Sequence, residues 1–166
     1  MIRIRAAAVA LALGGLTVPV PAAGAAQAPT CMGHRATIVG TAAADTINGT
    51  PRADVIVGRA GADVIRGRGG NDIVCGGAGA DVIRGGGGRD RIRGDIGADI
   101  IRGGAGRDRI RGGIGADVIS GKAGSDLLWG GANADVIRGG KGADRIWGGT
   151  GSDTCFSPKH APGCEL

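Results

Sequence analysis

Thirteen aspartates in this 166-residue chain stand nine residues apart without a slip: Asp45, Asp54, Asp63, Asp72, Asp81, Asp90, Asp99, Asp108, Asp117, Asp126, Asp135, Asp144 and Asp153. A lone Asp in a turn commonly bonds its own backbone. A ladder of carboxylates at identical spacing asks instead for a partner that neutralises many of them at once. Each Asp except the last is followed two residues on by Ile, Val or Leu and four residues on by glycine; after Asp153 the first of these positions is Cys155.

A short unit must position such a ladder. Its clearest copies read Gly76-Gly77-Ala78-Gly79-Ala80-Asp81-Val82-Ile83-Arg84, Gly103-Gly104-Ala105-Gly106-Arg107-Asp108-Arg109-Ile110-Arg111 and Gly112-Gly113-Ile114-Gly115-Ala116-Asp117-Val118-Ile119-Ser120. The pattern Gly-Gly-x-Gly-x-Asp-x-apolar-x, over about residues 40–153, resembles the RTX (haemolysin-type) calcium-binding nonapeptide repeat. The resemblance implies a calcium-stabilised solenoid, with ions held between successive turns by the motif aspartates and main-chain carbonyls.

The residues themselves lead to the same architecture. Glycines in the first six positions permit positive φ and a sharp turn. The next three, such as Val82-Ile83-Arg84, suit a strand whose central side chain points away from its neighbours' side. Each repeat therefore reads as a six-residue turn and a three-residue strand, and two repeats as an 18-residue coil. The expected fold is all-β, a parallel β-roll of about seven coils stacked at ~4.8 Å, with Ala36-Thr37-Ile38-Val39 as a degenerate first strand. A single apolar file per sheet makes the core: Ile47, Ile56, Ile65, Val74, Ile83, Ile92, Ile101, Ile110, Ile119, Leu128, Ile137 and Ile146.

That core is narrow for the chain ordering it must offset. Alternate repeats place their aspartates on opposite edges, where like charges one coil apart repel. Ca²⁺ answers both problems, because it takes roughly six to eight hard oxygens and accepts irregular geometry. Mg²⁺ favours a tighter octahedron and keeps its waters, and transition metals want His or Cys, which the repeat lacks. The predicted ligands are Asp63, Asp72, Asp81, Asp90, Asp99, Asp108, Asp117, Asp126, Asp135, Asp144 and Asp153. Asp45 and Asp54 are expected to be weaker, since Gly40-Thr41-Ala42-Ala43-Ala44 and Gly49-Thr50-Pro51-Arg52-Ala53 lack the later glycine. Arg59, Arg68, Asp95 and Lys122 replace the second glycine in four copies. Asn133 replaces the later one in another, and Asn tolerates a left-handed backbone.

Arg3 and Arg5, the apolar run over 6–20 and the small-residue stretch over 21–28 read as an export signal of residues 1–25, with cleavage between 25 and 28. The run is too short, and too rich in Ala and Gly, for a membrane span. No second apolar span follows, so a secreted, soluble mature chain is expected. Removing the signal takes away two arginines from a chain of formal net charge +5, leaving it only mildly basic. Cys31, Cys75, Cys155 and Cys164 suit an oxidising compartment and allow three pairings. Cys155 and Cys164 lie close together around Pro158 and Pro162, which suggests a stapled C-terminal cap over 155–166 and leaves Cys31 to pair with Cys75. Residues 29–39 then form an N-terminal cap and 40–154 the roll. Zinc is the rival use of these cysteines, but there is no CxxC, and His34 and His160 sit at opposite ends.

Residues one and three after each Asp should face solvent. One sheet then presents Val64, Val82, Ile100, Val118 and Val136 beside Arg66, Arg84, Arg102, Ser120 and Arg138. The other presents Arg91, Arg93, Arg109 and Arg111, near Arg89 and Arg107, followed by Leu127, Trp129, Arg145 and Trp147. This cationic patch beside two indoles is a candidate surface for an anionic polysaccharide or cell-wall glycan. In the plainer reading the arginines blunt lateral sheet pairing and the tryptophans cover a coil end. The charge would permit nucleic-acid binding, but an exported chain makes that partner unexpected. No Gly-x-Ser-x-Gly, His-Glu-x-x-His or nucleophile with a nearby His occurs, so no enzyme is expected. The chain reads as a secreted calcium-binding β-roll with a non-catalytic structural or adhesive role. The alternative is an accessory remnant of a larger secreted RTX enzyme or toxin system.

Overall fold

A computed structural model of the chain describes residues 28–156, so the expected export signal and Cys164 lie outside the described residues. The chain opens with a small antiparallel hairpin, β1 (Thr30–Cys31) and β2 (His34–Arg35), and the short strands β3 (Ile38–Val39) and β4 (Thr46–Asn48). Six-residue strands follow at nine-residue intervals: β5 (Val55–Ala60), β6 (Val64–Gly69), β7 (Ile73–Ala78), β8 (Val82–Gly87), β9 (Arg91–Ile96) and β10 (Ile100–Ala105). The series continues with β11 (Arg109–Ile114), β12 (Val118–Ala123), β13 (Leu127–Ala132), β14 (Val136–Lys141) and β15 (Arg145–Thr150), and ends in β16 (Thr154–Phe156).

Odd and even strands separate into two seven-stranded sheets, ordered β15-β13-β11-β9-β7-β5-β3 and β16-β14-β12-β10-β8-β6-β4. Neighbours are parallel and offset by 18 residues, as in Ile83↔Ile101 and Ile110↔Leu128. The fold is the expected β-solenoid of about seven coils at ~4.8 Å spacing.

The strands are longer than the sequence reading allowed. Expected at three residues, they run to six, and the expected six-residue turn shrinks to three, such as Gly88-Arg89-Asp90. In β8 the pairing to β10 runs Val82↔Ile100, Ile83↔Ile101, Arg84↔Arg102, skips the buried Gly85, and resumes at Gly86↔Gly104 and Gly87↔Ala105. The strand bends at an inward glycine without leaving the ladder. Continuing the ladder supplies partners for N–H and C=O groups that a free turn would leave to solvent.

Ile83 and Gly85 point inward on either side of an outward Arg84, the two-residue period of a strand. The predicted apolar files form one continuous core from Ile47 to Ile146, closed by Cys155. The outer face departs from expectation at one end. Val57 and Cys75 were expected in solvent, yet both are buried, because the hairpin lies across them. Cys31 bonds to Cys75 (S–S 2.10 Å), and Met32, Ala36, Val55 and Ile73 complete a second small apolar cluster there.

Candidate metal-binding edges

Each aspartate closes the turn just before its strand, three residues long from Asp63 onward and six at Asp45 and Asp54, so the nine-residue period fixes it at an edge. The main-chain N–H of each Asp from Asp45 to Asp135 donates to Oδ1 of the Asp 18 residues ahead, at 2.8–2.9 Å, as from Asp63 to Asp81 and from Asp90 to Asp108. Two ladders result: Asp45-63-81-99-117-135-153 on one edge and Asp54-72-90-108-126-144 on the other. All the predicted ligands from Asp63 to Asp153 are buried, with Asp144 the most exposed at 5%.

The second oxygen carries the information. Oδ2 is buried and has no hydrogen-bond partner in Asp63, Asp72, Asp81, Asp90, Asp99, Asp108, Asp117, Asp126, Asp135, Asp144 and Asp153. A buried polar oxygen with no donor costs about 1–3 kcal/mol, and more when it is ionised. Eleven repetitions of that cost in one small fold require a compensating group.

Burial sets the acidity of these groups. Desolvation outweighs the helpful N–H from Asp72 and raises Asp90 to about 7, with Asp108 and Asp72 repelling it further. Asp99 is likewise raised to about 7, mainly by burial and then by Asp117, Asp81 and Asp95. Burial lifts Asp81, Asp126 and Asp135 to about 6, and moves Asp72, Asp108 and Asp117 upward as well. Without a counter-cation these edges resist being fully charged at neutral pH.

The first coil solves the problem differently. Thr41 donates both its N–H (2.6 Å) and its hydroxyl (2.8 Å) to Oδ2 of Asp45. Thr50 does the same for Asp54, at 2.7 and 2.8 Å. The Thr41 bonds hold the Asp45 carboxyl below the usual range. Threonine four residues before the Asp thus replaces whatever serves Oδ2 elsewhere. The sequence signal was visible, two threonines where later copies mostly carry glycine, but reading it requires knowing which oxygen is orphaned.

Two motif glycines explain themselves at the same edge. Gly103, five before Asp108, has an ordinary φ, but a Cβ there would overlap the Asp108 carboxylate. Gly106, two before it, has φ 131°, and a Cβ would run into the carbonyl oxygen of Gly88 in the preceding coil. At Gly103 the carbonyl oxygen of Gly121 in the next coil also lies within contact of the absent Cβ, so a carboxylate and a carbonyl oxygen converge where that side chain is missing. Arg59, Arg68, Asp95 and Lys122, which replace the second glycine, still take φ of 79–87°, and Asn133 takes 82°.

These residues fit a calcium ion on one test and define its needs on another. The orphaned Oδ2 atoms are hard anionic donors in register along each edge. Among the described residues no three His, Cys, Asp or Glu side chains group into a metal site, and the other oxygens present at these edges are main-chain carbonyls. That donor set suits Ca²⁺ and not zinc.

The other predicted surface is also assembled. Trp129 and Trp147 stack at 4.9 Å with 7° between planes, and the Arg111 guanidinium lies 5.9 Å from the Trp129 ring centre. Arg91 pairs in register with Arg109, and Arg93 with Arg111. Arg93 also forms an ion pair with Asp95. Cys155 is disulfide-bonded, and its expected partner Cys164 lies outside the described residues.

The profile of the RTX calcium-binding nonapeptide repeat matches the chain in overlapping stretches, 39–74, 48–83, 68–101, 76–110, 84–119, 94–128 and 120–155. No curated protein matches it.

Proposed function

The chain belongs to the RTX calcium-binding nonapeptide repeat family, and from that premise we propose that it is a secreted β-roll that folds on binding calcium and serves as a non-catalytic structural or adhesive module. The observation that carries this reading is the contrast in Oδ2: donors from Thr41 and Thr50 in the first coil, none for Asp63 to Asp153. Ca²⁺ bound at each edge neutralises those carboxylates and links adjacent coils. Asp63, Asp72, Asp81, Asp90, Asp99, Asp108, Asp117, Asp126, Asp135, Asp144 and Asp153 are its side-chain ligands, and turn carbonyls such as that of Gly88 supply the rest. Asp45 and Asp54 are spent on threonine and hold little or no calcium.

In this reading residues 1–25 export the chain, 29–39 cap the roll, 40–154 form it, and 155–166 close it through Cys155 and Cys164. The test is circular dichroism of the mature chain, first in EGTA and then in millimolar Ca²⁺, with calorimetry to count sites. A cooperative gain of β-signal on adding calcium is expected. A spectrum indifferent to calcium overturns the proposal.

A further inference from the structure

The outer face of the odd-numbered sheet is divided into zones. The hairpin covers β5 and β7, the stacked indoles cover β13 and β15, and β9 and β11 lie bare between them. Three depressions on this bare strip overlap through shared residues. The first (140 Å³) is lined by Arg89, Arg91, Arg107 and Arg109, with Asp90 at its base. The second (290 Å³) takes in Arg91, Arg93, Arg109 and Arg111 between Met32 of the hairpin and Trp129. The third (610 Å³) continues past Arg93 and Arg111 to Asp95, Ile96 and Ile114. They make one trough running along the strand direction, with Met32 of the hairpin on one side and Trp129, under the Arg111 guanidinium, on the other.

Its charge is unusual. Arg89/Arg107, Arg91/Arg109 and Arg93/Arg111 form three pairs across adjacent coils, each 18 residues apart. Like charges opposite one another on neighbouring strands are destabilising. Among the described residues the one ion pair in the trough is Arg93 with Asp95. Arg145 is the only arginine on β13 or β15, and Cys75 and Val57 occupy the matching positions under the hairpin, so on this sheet the pairs are confined to the trough floor, while the opposite sheet carries a single file, Arg66, Arg84 and Arg102. Exposed Ile96 (56%) and Ile114 (59%) extend the floor with apolar surface.

We infer that this trough binds a linear acidic polysaccharide lying parallel to β9 and β11, each carboxylate bridged by one arginine pair and a sugar ring set against the edge of the Trp129 indole beside Arg111. Two guanidiniums at one coil spacing, ~4.8 Å, can grip a planar carboxylate from both sides. A sugar ring offers apolar C–H faces that an indole and the isoleucines can cover. Single-stranded nucleic acid needs stacking platforms for successive bases, whereas Trp129 is already stacked on Trp147 and has the Arg111 guanidinium over its ring. The inference rests on the calcium-folded roll, since the trough exists only when β9, β11 and β13 are stacked.

The test uses calcium-loaded protein and hyaluronate, a linear uronate-containing chain, with neutral dextran, oligo-dT and phosphatidylglycerol vesicles beside it. Circular dichroism checks that each variant forms the roll. Hyaluronate should bind and dextran should not, and binding should weaken with added salt. Arg91→Gln/Arg109→Gln and, separately, Trp129→Ala should each raise Kd about tenfold or more, while Arg84→Gln/Arg102→Gln on the opposite sheet leaves it unchanged. Three outcomes overturn the inference: folded protein that ignores hyaluronate, equal loss from the opposite-sheet variant, or tighter binding to oligo-dT or vesicles. A chain that folds without regard to calcium but binds hyaluronate overturns the calcium reading alone. A chain that never forms the roll overturns both.

Discussion

Asp54 and Asp108 occupy the same repeat position on the same edge, and both use their main-chain N–H to hold a carboxylate one coil ahead. Their outer oxygens differ. Asp54 Oδ2 takes two hydrogen bonds from Thr50, whereas Asp108 Oδ2 is buried without a donor. The first coil is therefore complete from protein atoms alone, and the hairpin before it is fastened across to β7 through Cys31–Cys75. Later coils reach the same stacking only with something added. The same backbone thus carries either a threonine donor or an orphaned oxygen, and the difference lies in one residue four positions before the Asp.

Chelation should split the two regions most widely. In EGTA, amide hydrogen exchange should keep its protection longest around residues 31–60 and lose it over 63–153; uniform loss along the chain would break the comparison. Next in size, Asp108→Asn should destabilise the calcium-loaded roll by about 3 kcal/mol, the scale of removing one partner from a buried charge pair. The same substitution in calcium-free protein should be neutral or stabilising, because it deletes an unpartnered charge. Asp45→Asn should instead be mildly destabilising with or without calcium. Chemical unfolding in both conditions reads these signs directly.

pH sharpens the contrast further. A carboxyl raised in the folded state favours folding while protonated, so its contribution is complete below the ordinary value of 3.8 and is lost as pH rises through the raised one. For Asp81, Asp126 and Asp135 that loss centres at about 6, and for Asp90 and Asp99 at about 7. Calcium-stripped protein should therefore show more β-signal at pH 4 than at pH 8, with protons standing in for calcium. Asp45, lowered by Thr41, acts in the opposite sense: its contribution is present above 3.8 and fades as pH falls through its depressed value. The smallest effect expected is for Thr50→Ala, about 1 kcal/mol from the lost hydroxyl bond, equal in calcium and in EGTA. A calcium-dependent loss there would mean that Asp54 binds metal after all.

Much of this was legible in the sequence because the period is strict. Ile83, Ile101 and Asp108 could be placed by counting, and two nine-residue units had to make one coil. Strand length was not legible. Gly86 and Gly87 read as turn residues by propensity, but a ladder built from identical coils gives even glycine a partner in register. Nor was the covered face legible, although Cys75 stood where later odd-numbered strands carry Arg93 and Arg111. Local pattern reports which side of a strand a residue occupies, and not whether a distant hairpin will settle on it. The arginines and tryptophans were visible as a patch; only the placement of Met32 and Trp129 turned the patch into a trough.

The Asp-to-Asp hydrogen bonds also have a direction. Every N–H reaches forward by 18 residues, so each new carboxylate is received by a donor already fixed in the coil behind it. The roll thus resembles a filament with a finished end and a growing tip. Asp45 and Asp54 sit at the finished end, sealed by threonine. In the proposed calcium-bound roll, growth from there would run one way, with a cation closing each coil before the next is laid down.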